Sequence, residues 1–227
     1  MNRHDLIYLQ TTDEFQFLDE SLSQEVQSKV QDMILHNIPF TVCRQESEDY
    51  FKVAINCVVQ GQKHRVALGL STTPTLSHKP LLLSTILDFF NDQTSTELKS
   101  FIRRIAMLSC SVHVYGSYAN QFLTKESFVR SQSDLDLLIQ LENISCLNQL
   151  LEEIIQIKQR ISINIDGEIN ITETQNISFN ELIFALQHQQ EQVIVKELRH
   201  ISLQNIADIG GGQLNVLQQQ QQHHYQA

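Results

Sequence analysis

In this 227-residue chain the residue types best suited to chemistry gather in two short stretches, Val114-Tyr115-Gly116-Ser117 and Ser133-Asp134-Leu135-Asp136-Leu137-Leu138. An apolar strand that ends in Gly-Ser and turns into a helix offers a phosphate backbone N–H groups, a hydroxyl and the positive helix end. Glycine permits the close backbone approach that a side chain would block. Asp134 and Asp136, two apart in a strand, project to one face, while Leu135 and Leu137 project into the core. Two carboxylates so placed repel unless a cation lies between them. An all-oxygen site of this kind suits Mg2+, which also binds substrate phosphates. Asp-x-Asp alone describes many solvated strand ends, and Gly-Ser alone describes many turns. Together, each on its own strand, they point to a site.

A two-metal site needs a further acid, and the run Ile161-Ser162-Ile163-Asn164-Ile165-Asp166-Gly167-Glu168-Ile169-Asn170-Ile171 offers two. Asp-Gly between alternating apolar residues is a common two-residue hairpin signal. A hairpin there would pair Ile165 with Glu168 and Ile163 with Asn170, mixing apolar and polar residues on each face. One continuous strand keeps the isoleucines on one face and sets Asp166 and Glu168 together on the other. A three-residue connection would also keep the isoleucines aligned, so both arrangements stay open. Asp166 ranks first as the third acid, with Glu168 the alternative.

The elements that must position these groups are legible as an α+β pattern. All three prolines, Pro39, Pro74 and Pro80, lie in the first eighty residues. That asymmetry predicts a small N-terminal domain of short strands and helices, residues 1–93. Its strands are expected at 40–42, 50–59 and 64–70, with Gln60-Gly61-Gln62 as a turn, and a helix is expected over 19–35. Residues 71–80 read as a loop and 81–90 as an apolar segment with helical spacing. A second domain, 94–209, should carry a mixed sheet flanked by helices. Ser95 or Thr96 is expected to cap a helix bearing Leu98, Phe101, Ile102 and Ile105. Strands follow at 111–115 and 135–141, and a helical segment at 118–124 leads into a polar loop, 125–133. Beyond them come a Ser145-capped helix with Leu147, Leu150, Leu151 and Ile154 on one face, a strand from Ile161, a helix near 179–186 and a strand at 193–195. The Gly/Gln/His-rich tail, 210–227, is expected to be disordered.

Composition excludes several classes. Seven glycines, three of them consecutive at 210–212, leave only four for the body, so no Gly-rich nucleotide loop can be written. A net charge of −10 disfavours nucleic acid and anionic membrane as partners. No uncharged apolar run approaches ~18 residues, and no apolar h-region follows the N-terminus. The four cysteines, without a C-x-x-C pair, read as buried free thiols of a reducing, cytoplasmic compartment. His113 reads as a structural strand residue, and Arg103-Arg104 as an exposed helix face.

An apolar strand, Gly-Ser, an Asp-x-Asp strand and a later strand acid resemble the nucleotidyltransferase superfamily over roughly residues 95–170. A narrower resemblance runs in order through Tyr115 to Thr124, Ser133 to Leu138, Asp166-Gly167-Glu168 and Val193 to Lys196, and through the opening Arg3-His4-Asp5-Leu6-Ile7-Tyr8-Leu9. These stretches resemble the malonate decarboxylase holo-acyl-carrier-protein synthases, also called phosphoribosyl-dephospho-CoA transferases. The chain departs from that family in having no tryptophan, with Asn120 where one is expected, and in its glutamine-rich tail. The resemblance implies transfer from 2′-(5-triphosphoribosyl)-3′-dephospho-CoA to a serine of the apo-acyl-carrier subunit of malonate decarboxylase, with diphosphate leaving. It implies Asp134 and Asp136 bridging two Mg2+ ions, Asp166 on the nucleophile side, and Gly116 and Ser117 holding the leaving phosphates. Lys125, Arg130 and Lys196 are then expected to help bind the triphosphate. The alternatives are another nucleotidyltransferase, moving AMP or a similar nucleotide to a small molecule, RNA or protein, and a catalytically silent partner-binding domain.

Overall fold

The structure, a computed structural model, describes residues 1–212; the expected disordered tail lies, from residue 213 onward, outside the described residues. Its first three glycines close a 3-10 turn, Ile206–Gly212.

Residues 1–70 build an antiparallel sheet around one helix. Its elements are β1 (Leu6–Ile7), β2 (Phe15–Phe17), α1 (Gln24–Leu35), β3 (Phe40–Val42), β4 (Phe51–Val59) and β5 (Gln62–Leu70), with strand order β1-β3-β4-β5-β2. The β4–β5 hairpin turns at Gln60-Gly61, both with positive φ, as the turn signal predicts. β1 and β2, too short to show any period, are absent from the sequence expectation. Helix α1 starts at Gln24 rather than Asp19, because Ser23 caps it by accepting from the Val26 N–H. Asp19 is held in a local turn by the Ser21 N–H and hydroxyl. Val26, Val30 and Met33 recur at helical spacing and join the core under β4.

The second sheet is mixed and seven-stranded, in the order β12-β11-β10-β9-β8-β7-β6. Its elements are β6 (Leu81–Leu82), α2 (Asp92–Ala106), β7 (Cys110–Tyr115), α3 (Gly116–Thr124), β8 (Leu135–Leu141) and α4 (Leu147–Arg160). They continue with β9 (Ile165–Asn170), β10 (Asn176–Ser178), α5 (Phe179–Gln187), β11 (Gln192–Lys196) and β12 (Ile201–Asn205). Among the described residues only β8 and β9, joined through α4, run parallel. Helices α2 to α5 bury their apolar stripes against one face, on Val112, Val114, Leu135, Leu137, Ile139 and their neighbours. The fold is α+β, as expected, with a mixed sheet flanked by helices.

Several boundaries differ from expectation for local reasons. Leu81 to Phe90 is not an α-helix: β6 pairs with β7, and Leu83–Phe89 is a 3-10 helix whose Leu83 and Ile86 enter the second core. Asn91 caps α2 by accepting from Thr94 N–H, so Ser95 lies buried in the first turn instead of capping it. Asn143, not Ser145, supplies the cap ahead of α4 by accepting from the Ser145 N–H and hydroxyl. Ile161 ends α4, and the strand begins only at Ile165. All four cysteines are free; Cys57 and Cys110 are buried, while Cys43 and Cys146 are half-buried.

The face of the second sheet away from the helices carries a polar layer. His113, Glu168, Asn170 and Asn176 are buried there, with Asn2 and Asp5 from the chain's start. The Asn2 amide donates to the Glu173 carbonyl, and Asp5 accepts from Asn2 N–H, Ser77 Oγ and Lys79 Nζ. His113 Nδ1 lies 2.8 Å from the Pro80 carbonyl oxygen, in keeping with its structural reading. The segment that precedes β1 therefore roofs the second sheet.

Candidate active site

Register sets the site. Tyr115 of β7 lies opposite Asp136 of β8, and Asp136 lies opposite Asp166 of β9. Residues in register across a sheet share a face, so the three make one row on the polar face, with Glu168 two residues along β9 from Asp166. The alternation in 161–171 is thus resolved as a continuous strand from Ile165, with no hairpin at Asp166-Gly167.

Two glycines make the strands fit. Gly116 has φ +67°, and a Cβ built there would collide with the Asp136 carboxylate. The missing side chain therefore lets Asp136 lie against the start of α3. Gly167, at φ +148°, would drive a Cβ into the Leu137 carbonyl of the neighbouring strand. It serves the close approach of β8 and β9, and not, as its place between two acids suggests, the spacing of those acids.

The carboxylates differ in their partners. Asp134, exposed just ahead of β8, accepts from Asn164 Nδ2 at 2.9 Å. Asp166 accepts at 2.8 Å from its neighbour's Gly167 N–H and at 2.8 Å from Asn180 Nδ2. The Asn180 oxygen in turn accepts from Lys158. Asp136 has no hydrogen-bond or ion-pair partner among the described residues; burial, and then the charges of Asp166 and Asp134, push its carboxyl up to about 6. Among the described residues no three His, Cys, Asp or Glu side chains converge on one metal position. Asp134 and Asp166 are each turned to an amide instead.

Glu168 is in the opposite state. It is 4% exposed and meets Arg3 Nη2 at 3.2 Å, His4 Nε2 at 3.4 Å and Lys196 Nζ at 3.0 Å. Burial alone would raise its pKa. The hydrogen bond from His4 and the charges of His4, Arg3 and Lys196 outweigh that and hold it near 2. The His4 ring stacks on Tyr115, centroids 4.1 Å apart. Burial, then the charges of Glu168, Asp136 and Asp166, push the Tyr115 hydroxyl far above its usual range.

The other expected site residues are scattered differently. Ser117 lies in the first turn of α3, whose N-cap position, Tyr115, makes no side-chain cap, so the first N–H groups face no capping oxygen. Lys196 reaches the site, tied to Glu168. Lys125 does not: it ends α3 over the Phe122 ring, about 13 Å from Gly116 at the helical rise. Arg130 is exposed in the loop before β8, its N–H bound to Ser133 Oγ. Arg104 pairs with Glu153 of α4, while Arg103 stays exposed. Arg3, His4, Asn180 and Lys158 have no local sequence signal as site residues. Arg3 and His4 stand out only as part of an N-terminal pattern, 165 and 164 positions before the carboxylate they meet.

Residues 82–207 match the family model described as the phosphoribosyl-dephospho-CoA transferase MdcG C-terminal domain. A phosphoribosyl-dephospho-CoA transferase of Xanthomonas axonopodis pv. citri (strain 306) is 23% identical over 198 residues, covering 86% of this chain and 89% of the relative. No solved structure matches the chain. No helix among the described residues is long and apolar enough to cross a membrane.

Proposed function

The chain belongs to the phosphoribosyl-dephospho-CoA transferase MdcG family, and on that footing we propose that it is itself a phosphoribosyl-dephospho-CoA transferase. Its donor is 2′-(5-triphosphoribosyl)-3′-dephospho-CoA, and its acceptor is a serine of the apo-acyl-carrier subunit of malonate decarboxylase. The observation that carries this reading is Asp136, a half-buried carboxylate without a partner among the described residues, in register with Asp166 and pressed against the Gly116-Ser117 turn.

Three neighbouring aspartates have the oxygen chemistry to hold Mg2+, though as placed, with Asp134 and Asp166 turned to amides, they do not converge on one position. Bound by Asp134, Asp136 and Asp166, Mg2+ would stabilise charge on the attacking and leaving oxygens. The chain's own groups do the rest. The free N–H groups of Gly116 and Ser117, with the Ser117 hydroxyl, hold phosphate oxygens of the donor at the start of α3. The acceptor serine oxygen bonds to the α-phosphorus as the bond from that phosphorus to diphosphate breaks. Asp166, oriented by Asn180, takes the serine proton.

The test is mass spectrometry of the apo-carrier subunit after incubation with the purified protein, donor and Mg2+. The subunit should gain the phosphoribosyl-dephospho-CoA mass with stoichiometric diphosphate release, and Asp134→Ala or Asp136→Ala should abolish the gain. An unmodified subunit in the presence of bound donor would sink the reading. Adenylylation of the same subunit from ATP would instead point to another nucleotidyltransferase.

A further inference from the structure

Glu168 is surrounded by more positive charge than it can balance. Arg3 reaches it with two nitrogens, Nη1 at 3.4 Å to one oxygen and Nη2 at 3.2 Å to the other. Lys196 reaches it from β11 and His4 from the N-terminal segment. Two basic side chains on one carboxylate leave at least one positive charge that Glu168 itself does not cancel. The donors are not exhausted either. Lys196 and Arg3 keep 27% and 17% of their side chains exposed, and an ammonium or guanidinium has several N–H groups. The cluster is held in place, because Glu168 is nearly sealed and His4 is clamped on Tyr115 and by its N–H to the Val42 carbonyl.

Its position matters as much as its charge. Glu168 is two residues from Asp166 on the same face of β9, about 7 Å along the strand. Tyr115, which stacks against His4, immediately precedes Gly116 at the start of α3. Through Tyr115 the first turn of α3 thus adjoins His4, which with Arg3 and Lys196 converges on Glu168. Arginine and lysine placed this way recognise phosphate oxygens, the first by a fork and the second as a point charge.

We propose that Arg3, His4 and Lys196, organised by Glu168, form the seat for the diphosphate part of the donor, the part that leaves. The N-terminal segment thereby completes a site whose acids all lie in the second sheet, and Glu168 is a positioning residue rather than a metal ligand. This assignment rests on the transferase reading for the identity of the polyphosphate, but diphosphate binding can be measured without any transfer.

Calorimetric titration of the full chain with inorganic diphosphate, in the presence of Mg2+, tests it. Arg3→Gln and Lys196→Gln should each weaken binding at least tenfold, and Arg3→Lys less than Arg3→Gln. Lys79→Gln, which removes a cation from the same polar layer that is paired with Asp5, should leave affinity within about twofold. In transfer assays Arg3→Gln should raise KM for the triphosphate donor tenfold or more and change kcat little. A purely structural role predicts variants that melt earlier yet bind diphosphate like the wild type, and that result would overturn the proposal. So would a wild-type protein that binds no diphosphate. If diphosphate binding depends on Arg3 while the carrier subunit stays unmodified, the seat stands and the transferase reading fails.

Discussion

Asp136 and Glu168 are carboxylates on the same face of two paired strands, and their surroundings drive them in opposite directions. Asp136 is desolvated beside two other acids and is pushed up to about 6; Glu168 is more deeply buried, yet three basic side chains hold it near 2. The difference lies in partners, not in depth. A buried carboxylate whose charge is already matched has its electrostatic work done inside the protein, and it organises what surrounds it. One whose charge is unmatched is costly as it stands and becomes favourable only when something positive arrives.

Removing each acid should break this symmetry in its own way. The largest expected effect is on chemistry: Asp136→Ala should lower transfer to the carrier subunit by on the order of a thousandfold, with no loss of thermal stability by calorimetry. A parallel loss of stability would mean that Asp136 is structural after all. Next comes Glu168→Gln, which strands Arg3 and Lys196 in the polar layer. Losing one partner of a buried ion pair costs about 3 kcal/mol, to be read from urea unfolding at pH 7. Because the folded pKa of Glu168 is depressed, its contribution is present above its unfolded value. It should fade as pH falls from roughly 4.5 toward its folded value of about 2, so variant and wild type should converge there.

Two smaller effects sharpen the comparison. Gly116→Ala puts a Cβ against the Asp136 carboxylate at positive φ, a strain of about 1–2 kcal/mol. Transfer should fall further than stability does, because the displaced group is the unpaired acid. Asp136→Asn should stabilise the metal-free protein by on the order of 1 kcal/mol at pH 7.5 and by nothing near pH 4. The sign follows from a raised folded pKa: the wild type is most favoured while Asp136 is protonated, and loses stability as pH rises from its unfolded value to about 6. Added Mg2+ should raise the wild-type Tm at pH 7.5 and leave that of the Asn variant nearly unchanged.

Much of the site was open to reading from neighbouring residues. Strand alternation put Asp136 on the face away from Leu135 and Leu137 and kept Asp166 and Glu168 together, because period two is a property of adjacent residues; Asp134 lies just outside β8. The distance of Lys125 from the Gly-Ser turn was also readable, since a helix over 118–124 must carry it away at 1.5 Å per residue. Helix starts were misplaced by a few positions wherever two capping residues stood close together, as at Asn91 and Ser95, and burial of Ser95 decided between them.

By itself, then, the sequence determined the α+β pattern and the acid-bearing strands; what the two glycines pack against was decided by the fold. Local sterics and alternation act between residues a few positions apart, and both leave a mark in the order of the chain. Which acid is spent and which is open was decided only by the tertiary structure. The groups that neutralise Glu168 arrive from the N-terminus and from β11, at 165 and 28 positions' separation, and charge acts through space at a few ångströms whatever the separation along the chain.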